Sequence, residues 1–301
     1  MKLKKHWWAI LYSLLLSAFT VYIALDTFVI ATVYQAVEEA PSTDSVTESA
    51  TSVIGSGKIT NANAYCDENI SITLTEYSAN DTAIYVADIT LSSAKYLQTA
   101  FAHSAYGRNV TEKTSEIAAR VGAILAINGD YYGSQESGYV IRNGVLYRET
   151  AASGREDLVI YADGSFGIVS EEEISARELL ESGAVQVLSF GPALLIDGVA
   201  AVTDGEEVGK AKASNPRTAI GILSPLHYVF VVSDGRTEES AGLSLLELAA
   251  FLQELGVQTA YNLDGGGSTT MYFNGEVVNN PTTNGKKIQE RSVSDIVYIG
   301  Y

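Results

Sequence analysis

The stretch NLDGGGSTTM at residues 262–271 decides how this chain is expected to fold. Three consecutive glycines follow Asp264, and glycine allows positive φ and close approach of the backbone to a ligand such as an anion or a sugar. Upstream, Ser244 and Glu247 form a capping box before an apolar helical stripe that ends at Gly256. A short strand-like run follows, so Asp264 is predicted at a strand end, where loops on a rigid frame carry chemistry.

The same arrangement occurs earlier in the chain. A predicted helix ends at Gly122, an apolar strand follows, and Asn128 and Asp130 come next. The glycine, the asparagine and the aspartate have the same spacing as their counterparts around Asp264. A common helix–strand unit explains the glycines, but it does not require an asparagine and an aspartate at each strand exit. We therefore expect both carboxylates to face one cleft.

The N-terminus has the composition of a membrane anchor. Residues 1–6 form a basic tip, and residues 7–33 form an apolar segment, interrupted by Asp26, that is long enough to cross a bilayer. The lysines of the tip predict a single-pass protein of the cell membrane with a cytoplasmic N-terminus and an extracellular folded domain. A cleaved signal peptide is the alternative, and the length of the apolar segment favours a retained signal-anchor. Because a lone buried charge is costly, Asp26 is expected near the outer interface or against a partner helix.

Two further segments complete the predicted domain organisation. Residues 34–58 are rich in Ser and Thr and have no apolar period, which is typical of a flexible tether. Residues 59–301 form the folded domain, and 47% of the whole chain is hydrophobic, enough for a substantial core. An anchor followed by a tether and a folded domain predicts a function at or near the cell surface.

The folded domain is predicted to be rich in β-strands with a few helices. Residues 72–77 and 83–91 alternate apolar and polar side chains as half-buried strands do. Helices are expected after Thr114, after Ser170 with Glu173 completing its capping box, and after the Ser244 box. The fold class is therefore α+β, with mixed, largely antiparallel sheets and a few packed helices, preceded by one transmembrane helix. Asn-Gly or Asp-Gly dipeptides, the strongest hairpin signals, occur at residues 143–144, 163–164, 197–198 and 274–275.

Charge and cysteine content narrow the function. The formal net charge of −17 repels polyanions, so no nucleic-acid partner is predicted and any phosphate must be held locally. Arg217 and Arg236 are the candidates, because guanidinium groups bind phosphate oxygens bidentately; the alternative is that each pairs with a neighbouring aspartate. Cys66 is the only cysteine, and His103 and His227 lack paired ligand spacing, so no metal site is predicted.

Several motifs, taken in order, resemble those of the phosphodiester glycosidase family. They are AINGDYY at 126–132, SFGPALLIDG at 189–198, NPRTAIG at 215–221, SDGR at 233–236, SLLELAAFLQELGVQTAYNLDGGGSTTM at 244–271 and RSVSD at 291–295. The likeness covers roughly residues 60–301. It implies an extracytoplasmic glycoside hydrolase that cleaves the glycosidic bond of a sugar-1-phosphodiester and releases a sugar and a phosphomonoester. The implied substrate is a phosphoglycan or sugar phosphodiester of surface polysaccharide or glycan metabolism.

The resemblance also implies which residues form the pocket, and we assign each of them a role as a hypothesis. Asp264 is the base or nucleophile, Asp130 its partner and Asp234 a polar orienting group. The arginines and the amides of residues 265–268 hold the phosphate. The substrate- and phosphate-binding residues of this hypothesis are Asn128, Arg217, Thr218, Arg236, Gly265, Gly266, Gly267, Ser268 and Thr269.

Two alternatives stay open at this point. A metal-dependent phosphodiesterase would cut the P–O bond with Asp and Asn ligands around a hard cation, so a divalent cation stays open although no cofactor is predicted. A non-catalytic surface module would bind cell-wall glycopolymers without cleaving them. Tyr131 and Tyr132 suit that role because their flat faces match sugar rings, although they also fit rim packing.

Overall fold

The structure, a computed structural model, describes residues 7–37, 59–61, 63–203 and 214–301. The predicted basic tip and residues 38–58 of the predicted tether lie outside this part of the chain. The fold is α+β, with mostly antiparallel sheets and few helices after an apolar N-terminal helix, so the predicted fold class is confirmed.

The first helix differs from the others in its surroundings. It is long and apolar enough to cross a membrane, and no residue of it is buried against the protein. Its length and composition are compatible with a membrane anchor and with a signal sequence. The α-helices of the described chain are α1 Trp7–Phe28, α2 Thr114–Arg120, α3 Ala176–Glu181 and α4 Leu245–Glu254. Short 3-10 turns lie at Ala94–Tyr96, Ala102–Ser104, Tyr132–Ser134 and Gly266–Ser268.

The strands of the described residues form four sheets, in which neighbouring strands pair antiparallel. The nine-stranded sheet has the order β15 Val199–Ala200, β14 Ala193–Ile196, β18 Thr259–Leu263, β16 Arg217–Ser224, β17 His227–Ser233, β5 Thr82–Leu91, β4 Ile70–Ala79, β3 Ala64–Cys66 and β2 Ile59–Asn61. A five-stranded sheet has the order β10 Val145–Arg148, β9 Val140–Arg142, β13 Ala184–Leu188, β11 Glu156–Tyr161 and β12 Phe166–Ser170. A second has the order β20 Glu276–Val277, β19 Met271–Phe273, β8 Leu125–Asn128, β21 Asp295–Ile299 and β6 Leu97–Phe101. The two-stranded sheet pairs β1 Thr32–Ala36 with β7 Ala105–Arg108.

The central core lies where the three larger sheets face one another. In β17, Tyr228, Phe230 and Val232 point into this core, whereas Val229 and Val231 pack with α4 on the other face of the sheet. The strand is therefore buried on both faces and reads as a continuous apolar run, as such strands do. Two smaller cores lie under α2 and α3.

Local sequence signals placed many element ends correctly. All four Asn-Gly or Asp-Gly dipeptides lie in the turns of antiparallel hairpins, as predicted. The capping box before α4 is present, since the Ser244 hydroxyl accepts from the Glu247 amide and the Glu247 carboxylate accepts from the Ser244 amide at 2.8 Å. Gly256 takes a φ of 83° just after that helix, a conformation that glycine adopts without strain.

The predicted capping box at Ser170 and Glu173 is wrong. Ser170 ends β12, and α3 begins after Ser175, which forms the reciprocal capping bonds with Glu178. The intervening residues form a turn because the carboxylate of Glu171 is drawn into the protein, where it accepts backbone hydrogen bonds from two other segments. Both serines have the required spacing to a glutamate, so sequence alone did not separate them.

The segment after α1 is docked on the folded domain. Residues 34–36, predicted to belong to the flexible tether, form part of β1 and pair with β7. Asp26, near the end of α1, forms an ion pair with Arg108 of β7 at 3.0 Å, and Asn109 donates to two carbonyls at the helix end. The partner of Asp26 is therefore the folded domain of the same chain.

Close approach of β1 to β7 requires glycine at position 107. A Cβ at Gly107 would clash with the carbonyl oxygen of Thr32. We expect Gly107→Ala to separate β1 from β7 and to accelerate amide hydrogen exchange in both strands, without unfolding the larger sheets. Gly167→Ala is the matched control, because the atoms nearest the added Cβ belong to the Tyr161 side chain, the first of them at 3.2 Å. Unchanged protection of β1 and β7 in Gly107→Ala would contradict the docking.

Candidate active site

The two predicted strand exits meet although they belong to different sheets. β8 ends at Asn128, and β18 ends just before Asp264. The Asn128 side-chain amide donates to the main-chain carbonyl of Asp264 at 2.6 Å, and the Asp264 amide donates to the Gly129 carbonyl at 3.2 Å. These two bonds fix the start of the glycine loop against the neighbouring sheet.

A cavity of about 200 Å³ opens beside this junction. Asp264 is the carboxylate in its wall, and three arginines share that wall with it. Most of the lining comes from the ends of β16 and β18 and from the glycine loop. The lining residues are Phe190, Asn215, Arg217, Arg236, Asn262, Leu263, Asp264, Gly265, Gly266 and Arg291.

The carboxylate of Asp264 is held in one orientation by two side chains. The Ser268 hydroxyl donates to its Oδ2 at 2.5 Å, and Arg291 donates to the same oxygen at 3.2 Å. Arg291 also donates to the Ser268 hydroxyl at 2.6 Å, so the three groups form a closed triangle. Burial raises the pKa of Asp264, while Arg291 and the Ser268 hydrogen bond act against that rise. The 13% exposure of its side chain leaves the carboxylate reachable from the cavity.

Three guanidinium groups converge on the cavity. Arg217 donates through Nε to the Leu243 carbonyl at 2.8 Å, and Arg236 donates to the Asn215 side-chain oxygen at 2.9 and 3.1 Å. Burial, and then the charges of Arg291 and Arg217, lower the pKa of Arg236. Within the described residues Arg236 forms no ion pair with a carboxylate, so the alternative of simple pairing with an aspartate does not hold for it. An anion bound here would relieve the repulsion among like charges.

The glycines let the loop pass close to the cavity wall. A Cβ at Gly265 would lie 2.8 Å from the Pro216 carbonyl oxygen, and Gly266 has a φ of 61° with Arg236 equally close. The amides of Gly266 and Ser268, two of the predicted phosphate donors, already donate to backbone carbonyls, and so does the amide of Thr269. Gly265 is left as the loop residue that lines the cavity and whose amide a ligand could use.

Asp130 lies behind the cavity rather than in its wall. Arg142 donates to Asp130 at 2.8 Å and to Asp295 at the same distance, and all three side chains are buried. The amides of Ser189 and Tyr132 complete the coordination of Asp130 at 2.8 and 3.1 Å. Burial raises the pKa of Asp295, partly offset by the charge of Arg142 and reinforced by that of Asp130. The structure thus gives Asp130 a structural ion triad instead of direct access to the cavity.

Other predicted residues also form a supporting layer. The buried Asp234 carboxylate accepts from the Asn279 side chain at 3.2 Å and from the Asn280 amide at 2.9 Å, which ties down the segment after β20. Thr218 donates to the side-chain oxygen of Asn128 at 2.9 Å and lies 3.4 Å from the hydroxyl of Thr269. Gly267 packs against Thr283. These residues position the wall without lining it.

Sequence reasoning left Arg291, Asn262, Asn215 and Phe190 out of the site. Arg291 is the first residue of the RSVSD motif, and Asn262 is the counterpart of Asn128 in the repeated helix–strand unit. Both features could have identified these residues as part of the site. The side-chain amide of Asn262 donates to the Gly191 carbonyl at 2.8 Å, and its buried Oδ1 has no partner among the described residues.

Within the described chain, no group of three or more His, Cys, Asp or Glu side chains converges to form a metal site.

A buried carboxyl group lies under the segment that carries Phe190. Asp157 of β11 is fully buried beside Ser189 and Glu171. Burial, reinforced by the charge of Glu171, raises the pKa of Asp157 to about 9. Asp157 is therefore protonated in the folded protein at neutral pH.

This protonation makes stability depend on pH. Above the unfolded pKa of 3.8, the unfolded chain releases a proton that the folded protein keeps, so folded stability falls as pH rises towards 9. Asp157→Asn mimics the protonated acid, and we expect its free energy of unfolding to exceed that of the wild type most clearly near pH 8. Denaturant titrations from pH 5 to 9 measure the difference. Asp163→Asn, at an exposed turn, is the control, and parallel curves for wild type and Asp157→Asn would refute the assignment.

Comparison with known proteins adds family relationships to this geometry. Residues 121–300 match the phosphodiester glycosidase family. A prophage-derived uncharacterized protein of Bacillus subtilis is 29% identical over 203 residues, which cover 66% of this chain and 31% of that protein. The mouse N-acetylglucosamine-1-phosphodiester alpha-N-acetylglucosaminidase is 30% identical over 181 residues, covering 56% of this chain and 35% of the enzyme. The chain thus spans about a third of the length of the curated relatives it matches.

Solved structures share the fold. The catalytic domain of the zebrafish N-acetylglucosamine-1-phosphodiester alpha-N-acetylglucosaminidase aligns with a TM-score of 0.61 at 22% identity, covering 77% of this chain and 83% of that one. A hypothetical protein from Synechocystis aligns with a TM-score of 0.59 at 16% identity, covering 77% of this chain and 62% of its own.

Proposed function

The chain belongs to the phosphodiester glycosidase family, and from this premise we propose that it hydrolyses the glycosidic bond of a sugar-1-phosphodiester. The products are a free sugar and a phosphomonoester. The observation that carries the proposal is the cavity in which one oriented carboxylate, Asp264, faces three guanidinium groups. A carboxylate suits the anomeric carbon, and the guanidinium groups suit the departing phosphate.

The leaving group explains why one carboxylate in the wall is sufficient. Glycosidases ordinarily use a second carboxylic acid to protonate the leaving oxygen. A phosphate ester leaves as a stable anion, so it needs charge neutralisation more than a proton. Arg217 and Arg236 supply that charge, with the Gly265 amide as a further donor. Asp264 acts as base or nucleophile, and Asp130 acts as a positioning residue through the ion triad.

The sugar has its own candidate contact. Asn262 lines the cavity, and its Oδ1 can accept a hydrogen bond from a sugar hydroxyl. The mouse and human relatives are named for N-acetylglucosamine-1-phosphodiester, so that compound is the first substrate to test. We place the reaction outside the cytoplasm, in surface polysaccharide or glycan metabolism, with α1 as the membrane anchor.

Hydrolysis in ¹⁸O-labelled water tests which bond breaks. We expect the phosphomonoester to contain no label, because water attacks carbon and the bridging oxygen stays with the phosphate. Label in the phosphate would mean P–O cleavage and would support the metal-dependent alternative. Asp264→Asn serves as the control for contaminating hydrolases, with turnover expected to fall by about 10²- to 10⁴-fold while the fold is retained. Equal turnover of wild type and variant would remove Asp264 from the chemistry.

Arg291 should set the acid limit of the reaction. Its charge lowers the pKa of Asp264, so in Arg291→Gln that pKa rises and the carboxylate is protonated at a higher pH. Since the base or nucleophile must be ionised, the acidic limb of kcat/KM against pH moves to higher pH. Arg291→Lys keeps the charge and should leave the limb near its wild-type position. A limb that stays in place in both variants would show that Asp264 does not control it.

A further inference from the structure

A second cavity lies at the seam between the end of α1 and the folded domain. It has a volume of about 230 Å³, and we call it the seam cavity. β1 supplies one wall, β7 another, and the loop after Asp130 a third. Its lining residues are Tyr34, Tyr106, Gly107, Arg108, Tyr132, Gly133, Gln135, Glu136 and Arg148.

Unused hydrogen-bond donors distinguish this cavity. Buried atoms without a partner in the described structure include Nε of Arg108, Nη2 of Arg148 and the hydroxyl of Tyr132. The Tyr132 side chain is 1% exposed. Leaving buried polar groups unpaired is costly, so such groups point to a missing partner. Arginine has no acceptor atoms, so the missing partner must supply acceptors.

The charge of Arg148 points to an anion. Its recorded bonds go to backbone carbonyls, those of Tyr132 at 3.1 Å, Gln135 at 2.6 Å and Gly138 at 2.5 Å, and within the described residues it forms no ion pair. Arg108 is shared between Asp26 at 3.0 Å and Glu136 at 3.8 Å, and Glu136 is 88% exposed. One guanidinium is therefore uncompensated, and the other is held partly by a carboxylate that a ligand could displace.

The position of the seam cavity indicates where such an anion would come from. Arg108 donates to both the carboxylate and the main-chain carbonyl of Asp26, so the cavity is fixed next to the last turns of α1. If α1 crosses the bilayer, this level is that of the lipid headgroups. Tyr34 and Tyr106, with ring centroids 5.8 Å apart, add the amphipathic aromatic side chains that are enriched at membrane interfaces.

We propose that the seam cavity binds the phosphate of an anionic membrane lipid. The inference rests on α1 as the membrane anchor and does not need the proposed hydrolysis. Guanidinium groups recognise phosphate oxygens through paired charge-assisted hydrogen bonds, and Arg108 and Arg148 provide two such groups. Binding would hold the folded domain in one orientation on the membrane surface.

The experiment measures phosphate binding by the full chain in detergent micelles, using equilibrium dialysis with radiolabelled inorganic phosphate. Two sites are expected, the seam cavity and the arginine-lined candidate active site. Arg148→Gln should weaken the seam site by about tenfold or more, the loss expected for one hydrogen bond to a charged group. Arg236→Gln should remove the other site and leave the seam site intact.

Arg148 also holds the loop at residues 132–138, so weaker phosphate binding in Arg148→Gln could come from a disturbed loop. A second variant, expected to strengthen binding, removes this ambiguity. Glu136→Gln removes an exposed carboxylate that competes for Arg108, so phosphate should bind more tightly at the seam site. Unchanged phosphate binding in both Arg148→Gln and Glu136→Gln would overturn the proposal. A single wild-type site that Arg236→Gln abolishes would overturn it as well.

The source of the phosphate is tested in the Arg236→Gln background. Short-chain phosphatidic acid should displace inorganic phosphate at a lower concentration than free phosphate does. Displacement by phosphate alone would reject the lipid while keeping an anion site. If Arg236→Gln instead kept both sites, the phosphate-binding role in the proposed function would fail and the seam site would stand.

Discussion

The side chain of Asn128 joins the two large sheet systems at the site, and the geometry of the cavity depends on it. Its amide donates to the Asp264 carbonyl, and its oxygen accepts from the Thr218 hydroxyl and the Thr270 amide, at 2.6, 2.9 and 3.2 Å. A buried amide with these bonds satisfied on both sides permits little movement. Asp264 is thus fixed by strands of two sheets, and the glycine loop starts from a rigid point.

The ratio of arginines to carboxylates differs between the buried cluster behind this junction and the cavity wall. Arg142 lies between the carboxylates of Asp130 and Asp295, and removing one partner from such a buried group typically costs about 3–5 kcal/mol. In the cavity wall the balance is reversed, because three guanidinium groups face the single carboxylate of Asp264. The rear cluster pairs one guanidinium group with two carboxylates, whereas the cavity wall contains three guanidinium groups and one carboxylate. The difference accompanies their positions, since Asp130 lies behind the cavity and Asp264 lies in its wall.

The sequence allowed local features to be predicted better than contacts across the fold. The capping box at Ser244 and the Asn-Gly and Asp-Gly hairpins depend on residues a few positions apart, so the sequence predicted them, although the same signal placed a capping box wrongly at Ser170. The repeated Asn and Asp spacing predicted that the two strand exits meet. The partners of Asp130 could not be predicted from the sequence, because Arg142 and Asp295 belong to strands in different sheets. The sequence predicts residues 34–36 as part of the tether because composition does not reveal long-range strand pairing. Their pairing partner, β7, lies some 70 positions away.

The guanidinium groups in the cavity wall also bear on how the proposed phosphodiester substrate would be held by a strongly acidic protein. At physiological ionic strength exposed charges are screened beyond about 8 Å, so the net charge of −17 matters less inside the cavity than nearby Arg217, Arg236 and Arg291 do. A phosphodiester carries one negative charge, and breaking its C–O bond places a second charge on the departing phosphate. In the proposed reaction the guanidinium groups would therefore attract the transition state more strongly than the bound substrate, and only such a difference accelerates the chemical step.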